Sequence, residues 1–117
     1  MKTIIAGSRS ITNIEDVYNA VHNSNFDITE VVSGIARGVD RLGEQWAKEN
    51  NISIKRFPAQ WNKYGRSAGY IRNAQMANYS DALIAVWDGK SKGTQHMSNF
   101  AKKSGLLVYV YTIKGDE

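Results

Sequence analysis

A chain of 117 residues, 42% hydrophobic and 22% charged, is long enough for one domain around one sizeable core. Its net charge of +4 is scattered over positions such as Lys2, Arg37, Lys48, Lys63, Lys102 and Lys103, which argues against nucleic acid as the partner. The lack of cysteine excludes disulfide, redox and thiolate–metal chemistry, and His22 and His96 lie too far apart for a paired-histidine motif, so no metal site and no cofactor are expected.

No apolar run approaches the ~18 residues needed to span a bilayer. Met1 to Gly7 is too short and too weakly charged for a signal peptide and reads as a first strand. The expectation is a cytoplasmic protein that does not engage a membrane.

Strands and helices alternate from the start. Thr3 to Ala6 is a buried strand that ends in Gly7-Ser8-Arg9-Ser10. Thr12 and Glu15 have capping-box spacing and open a helix with Ile14, Val17, Tyr18 and Val21 on its apolar stripe. Glu30 to Ser33 is the second strand, and a helix from Val39 carries Val39, Leu42, Trp46 and Ala47 on one face. Ile52, Ile54 and Phe57 mark a third strand, stopped by Pro58. Ala59 to Tyr64 reads as a loop, and Arg66 to Tyr79 as a helix with Ile71, Ala74 and Ala77 at helical spacing. Ala82 to Trp87 is the fourth strand and runs into Asp88-Gly89-Lys90-Ser91-Lys92-Gly93-Thr94. The last helix, Gly93 to Ser104, shows Met97, Phe100, Ala101 and Ser104 on one stripe, and Gly105 caps it. Leu106 to Tyr111 is the fifth strand. The domain is expected to cover 1–113, with a frayed tail over 114–117.

This alternation predicts a single Rossmann-like α/β domain. It has a five-stranded, mostly parallel sheet, helices on both faces and right-handed crossovers. Ligands of such sheets sit beyond the carboxyl ends of the strands, where the strand order reverses. The loops after the strands therefore hold the candidate residues.

Gly7-Ser8-Arg9-Ser10 offers a flexible turn, two hydroxyls and a guanidinium. It suits a phosphate or ribose clamp and a plain strand–helix turn equally well. In Ser33-Gly34-Ile35-Ala36-Arg37-Gly38, two glycines allow close backbone approach at a helix start. Asp40 is placed to cap that helix rather than to act as an acid. Asp88, Gly89, Ser91, Gly93 and Thr94 form a glycine loop feeding a helix amino end, an arrangement that binds anions and also serves as a simple connection. Arg72 and Asn73 stand upstream on a helix, where Arg72 reads either as a phosphate partner or as a solvated position. Trp61, Tyr64 and Arg66 could form a base-stacking lid, or the rings could pack over the sheet edge. Trp87 likewise serves either as a stacking ring or as the end of a core strand.

The pattern R-N-A-x-M-A-x-x-S-D-A-L-I-A-V-W-D-G-x-S-x-G-T, preceded by G-S-R-S and S-G-x-A-x-G-V-D-R-L-G-E, resembles the SLOG superfamily over Thr3 to Val110. Within it the chain is most similar to the YspA-type, cpYpsA-related branch, often carried by phages. Lonely-Guy-type phosphoribohydrolases, the DNA-processing protein DprA and sensors of NAD-derived signals are more distant relatives. The resemblance implies strand order 3-2-1-4-5 and a pocket over Gly7–Ser10, Ser33–Gly38, Arg72–Asn73 and Asp88–Thr94. It implies a ligand of adenine-nucleotide, ADP-ribose or cyclic ADP-ribose-like type, sensed or sequestered, as in a phage-encoded anti-defence sponge acting in the host cytoplasm. It also implies pairing through helices beside the site, consistent with the many rings among Trp46, Trp61, Tyr64, Tyr70 and Tyr79, so a homodimer or higher homo-oligomer is expected.

Lonely-Guy-type hydrolases carry P-G-G-x-G-T-x-x-E. Here Trp87-Asp88-Gly89 replaces P-G-G, and Met97 takes the glutamate's place. Without a positioned carboxylate, N-glycoside cleavage would lose much of its acceleration. The expectation is a binder with no assigned catalytic residue. The alternative is a nucleoside monophosphate N-glycosidase using Asp88 or Glu44, and the third class is a DprA-like single-strand binder.

Overall fold

The computed structural model describes residues 1–113, and the tail expected over 114–117 lies outside them. Five strands, β1 (Lys2–Gly7), β2 (Glu30–Ser33), β3 (Ser53–Arg56), β4 (Ala82–Trp87) and β5 (Leu107–Thr112), pair in the order β3-β2-β1-β4-β5. Every pairing is parallel, so the sheet is wholly rather than mostly parallel.

The inner strands are apolar because both of their faces are covered. Successive side chains point to opposite faces. Ile5, Ile84 and Val86 thus join Val17, Val31, Val39, Trp46 and Ala47 on the side of α1 (Ile14–Ser24) and α2 (Val39–Glu49). Ile4, Ala6, Leu83 and Ala85 join Met76, Ala77, Met97 and Ala101 on the side of α4 (Ala68–Tyr79) and α5 (Lys92–Lys103). Leu83 is wholly buried, and its truncation to alanine would cost about 2–5 kcal/mol.

Four local expectations change. Asn13, not Thr12, caps α1: its side chain accepts from the Glu15 N–H at 3.0 Å. The helix therefore begins one residue late for the capping box, and Asp16 occupies the third helical position. The expected loop at Ala59–Tyr64 ends in a short helix, α3 (Trp61–Tyr64), followed by a 3-10 turn over Gly65–Ser67. Gly65, at φ +58°, breaks the helical path, so α4 starts at Ala68 rather than Arg66. Phe57 follows β3 and packs on the face opposite Ile54. No helix among the described residues is long and apolar enough to cross a membrane.

Candidate functional site

The strand order reverses between β1 and β4, and their carboxyl ends are stitched together. The Ser8 N–H donates to the Val86 carbonyl at 3.1 Å. The buried Ser8 hydroxyl accepts from the Asp88 N–H at 3.0 Å, and the Ser10 hydroxyl donates to the Asp88 carboxylate at 3.2 Å. That carboxylate also accepts the Lys90 and Ser91 N–H groups, both at 2.8 Å. These two bonds hold the Asp88 carboxyl below its usual range. Asp88 is thus committed to shaping its own loop. The Trp87 indole N–H donates to the Ser91 carbonyl at 2.9 Å and braces the same turn.

The turn delivers the amino end of α5. Ser91 caps it, its Oγ accepting from the Thr94 N–H at 3.3 Å and from the Thr94 hydroxyl at 3.0 Å. Helix amino ends carry free N–H groups and partial positive charge, which favour an anion.

The β2–α2 loop is held in an unusual path. Ile35 adopts φ +64°, a sterically costly conformation for a β-branched residue. Its N–H donates to the Ser33 Oγ at 3.1 Å, and the Ser33 hydroxyl donates to Glu44 at 2.7 Å. Burial raises the Glu44 pKa, but hydrogen bonds from Arg56 and Ser33 outweigh it and leave the group below its ordinary value. Gly38 sits at φ +77°, where a Cβ would lie 2.4 Å from the Ser8 carbonyl oxygen. The two strand-end loops therefore touch backbone to backbone.

This path directs Asp40 inward. Asp40 does not cap α2: Gly38 holds the cap position without a side-chain bond, and Asp40 follows inside the first turn. The residue is only 5% exposed, and its carboxylate turns back to accept the Ala36 N–H at 3.3 Å. Burial pushes its pKa up to about 6, with the Ala36 N–H, Arg72 and the Gly7 N–H acting against the shift.

Arg72 approaches from α4. Its guanidinium donates to the Gly34 carbonyl and, at 3.0 Å, to the Asn73 side-chain oxygen. Burial lowers its pKa, Asp40 opposes that, and the positive charge of Arg9 adds to it. A Cβ on Gly34 would lie 2.6 Å from Arg72 Nη1 and 2.8 Å from Asp40 Oδ2. Gly34 is thus the gap in which these side chains converge. They stop short of a direct ion pair; among the described residues the ion pair is Arg56–Glu44, at 2.9 Å.

These groups line a cleft of about 470 Å³ over the ends of β1 and β4, a volume suited to a small ligand. Of the expected residues, Gly7, Arg9, Ser10, Ala36, Arg72, Asn73, Asp88, Ser91, Gly93 and Thr94 line it. Ser8, Ser33, Gly34 and Gly38 lie behind the wall and shape it. Arg37 and Gly89 do not line it, nor do Trp61, Tyr64, Arg66 and Trp87. Trp61 is 55% exposed and leans over Gly69, where a Cβ would be 3.7 Å from the ring. Lys63 sits over the Tyr64 ring at 5.1 Å.

Ala6, Asp40, Met76 and Met97 complete the lining. Asp40, which the sequence reads as a helix cap, instead lines the cleft. Its place in the first turn of a helix, just after two glycines, was the available signal, and the convergence with Arg72 is a long-range feature. Met97, nearly fully buried, adds a thioether to the lining.

Known proteins agree with this architecture. The Gene 61 protein of Mycobacterium phage D29 is 32% identical over 117 residues, covering 92% of this chain and 93% of that protein. The SPbeta prophage-derived protein YoqJ of Bacillus subtilis (strain 168) is 38% identical over 45 residues, 38% of this chain and 26% of that protein. Among solved structures, DNA processing protein A (DprA) of Streptococcus pneumoniae superposes with a TM-score of 0.74 at 18% identity, covering 98% of this chain. The chain spans 50% of that DprA chain, with which it shares the fold. Residues 1–64 match the model of the YspA, cpYpsA-related SLOG family. With the parallel sheet, the glycine-shaped strand-end loops and the full-length phage relative, this match makes the chain a member of the YspA, cpYpsA-related SLOG family.

Proposed function

We propose that the protein binds a small nucleotide-derived ligand, of adenine-nucleotide, ADP-ribose or cyclic ADP-ribose-like type, and holds it intact. The observation that carries this reading is the convergence of Arg9, Arg72 and the amino end of α5 on one cleft. Two guanidiniums and a helix amino end form an anion site of the strength phosphate needs. Gly7, Ser10, Ala36, Asn73, Ser91, Gly93 and Thr94 complete the contact surface in this reading. The exposed Trp61 stands near enough to Arg72 to cover a base once a ligand is in place.

Retention rather than cleavage is supported by Met97 at the hydrolase glutamate's place and by the commitment of Asp88 to its own loop. The phage and prophage relatives fit a role in the host cytoplasm, sensing or sequestering a signalling nucleotide. The test is calorimetry with AMP, ADP-ribose and cyclic ADP-ribose, combined with chromatography of the recovered ligand. Binding with intact recovery is expected. Multiple-turnover release of free base would replace this reading with an N-glycosidase. Binding confined to single-stranded oligonucleotides would replace it with a nucleic-acid function.

A further inference from the structure

We propose that Asp40 reads ligand hydroxyl groups in this cleft, so that the site takes a ribose-bearing phosphate compound and discriminates against its deoxy counterparts. This rests on the nucleotide-binding reading above and names the residue that recognises the sugar.

Two carboxylates line the cleft, and they differ in what they have left to give. Asp88 already accepts from Lys90, Ser91 and Ser10. Asp40 accepts one long backbone bond from Ala36 at 3.3 Å, with the Gly7 N–H also near its charge. An ionised carboxylate has about four acceptor sites and no donor, so Asp40 keeps capacity that only a donor can satisfy. Arg72 does not take it up as an ion pair, because its guanidinium turns to the Gly34 carbonyl and to Asn73.

A buried carboxylate beside an anion site weakens phosphate binding unless the ligand supplies hydrogen-bond donors at that point. Asp40 Oδ2 and Arg72 Nη1 both lie within 2.8 Å of one point over Gly34. Both side chains also line the cleft, so a ligand that meets the two together carries a negative oxygen and a donor close to each other. A sugar phosphate has this pairing, with its phosphate toward the guanidinium and its hydroxyls toward the carboxylate. Inorganic phosphate and pyrophosphate carry no sugar hydroxyls to offer the carboxylate.

The experiment is calorimetry of the full chain with AMP, 2′-deoxy-AMP, 3′-deoxy-AMP, IMP and pyrophosphate. Wild type is expected to bind at least one deoxy compound about ten-fold or more weaker than AMP, the scale of one hydrogen bond to a charged group. In Asp40→Asn that ratio shrinks, while pyrophosphate binds at least as tightly as to wild type. The wild-type comparison stands even if the variant fails to fold. Equal binding of AMP and both deoxy compounds overturns the assignment of Asp40. Selective loss with IMP alone does the same, because it points to an amino donor. In both cases the anion site survives if Arg72→Ala weakens every probe. If no probe binds in an Arg72-dependent way, both readings fall.

Discussion

Arg72 reaches back 38 positions to donate a hydrogen bond to the carbonyl of Gly34, a residue whose missing side chain leaves room for the guanidinium. One glycine thus provides an acceptor and a gap for the same partner.

Gly34 and Gly38 should therefore fail in different ways when replaced by alanine. At Gly34 the new Cβ meets side-chain ends, Arg72 Nη1 at 2.6 Å and Asp40 Oδ2 at 2.8 Å, which can move aside. The expected outcome is a folded protein with weakened ligand binding and a stability loss of about 1–3 kcal/mol. At Gly38 the Cβ meets the Ser8 and Arg9 backbone at a φ of +77°, so strain adds to a clash that cannot relax locally. Denaturant titration should rank Gly38→Ala well below Gly34→Ala. The reverse order would mean that the Arg72–Asp40 pocket is the more rigid feature.

Arg72→Ala should weaken AMP or ADP-ribose binding about ten-fold or more, since a charge-assisted bond to phosphate contributes roughly 1.5–3 kcal/mol. Arg72→Lys should recover only part of this, because an ammonium cannot span Gly34, Asn73 and a ligand as a planar fork does. Calorimetry on folded variants decides it. Unchanged affinity in Arg72→Ala would remove the residue from the site.

Asp40 should give the ligand-free protein a distinctive pH response. Its carboxyl is raised by burial from 3.8 to about 6, so the folded chain keeps a proton that the unfolded chain releases. The stabilising contribution of this group is full below the unfolded value and is lost as pH rises through about 6. Relative to Asp40→Asn, wild type should therefore lose stability between pH 4 and pH 7, by on the order of 3 kcal/mol. Parallel denaturation of both proteins across that range cancels the other titrating groups. A flat difference curve would show that Asp40 is well solvated in solution.

The layered fold was legible because each inner strand is a short, nearly uncharged run bounded by glycine or polar residues, and each helix repeats its apolar positions. Ala82 to Trp87 shows this most clearly, for its sequence limits and its structural limits coincide. The start of α1 was less legible because Thr12 and Asn13 are both competent caps, and the choice depends on how the chain leaves Ile11. The site was half legible. Its loops follow from strand ends and glycines, which are local signals. Asp40 reads as a cap from local sequence. Its burial depends on the left-handed Ile35 and on Arg72 arriving from another helix, neither of which a short window contains.

The protein should self-associate, most simply as a dimer, through the rings beside the cleft. Trp46 is buried in the core and drops out of that argument, whereas Trp61 and Tyr70 are 55% and 57% exposed. Tyr70 also packs against His96 at 4.4 Å, which joins α4 to α5 beneath the exposed face. Light scattering across a dilution series should give a mass above 13.1 kDa at micromolar concentration, reduced by Trp61→Ser with Tyr70→Ser. A steady 13.1 kDa would assign both rings to solvent or to a lid.

The bonds that join Ser8 and Ser10 to Asp88 span 80 and 78 positions of the chain. They carry a consequence for dissection. The segment that matches the family model, 1–64, contains Arg9 and Asp40 but not Arg72, Asp88 or Thr94. A protease nick at the α3 turn therefore leaves each fragment with an incomplete set of ligand contacts. Neither fragment should retain a nucleotide alone, whereas their mixture should recover it. Bound nucleotide would then act as a clasp between the fragments, slowing their separation without touching the cleavage point.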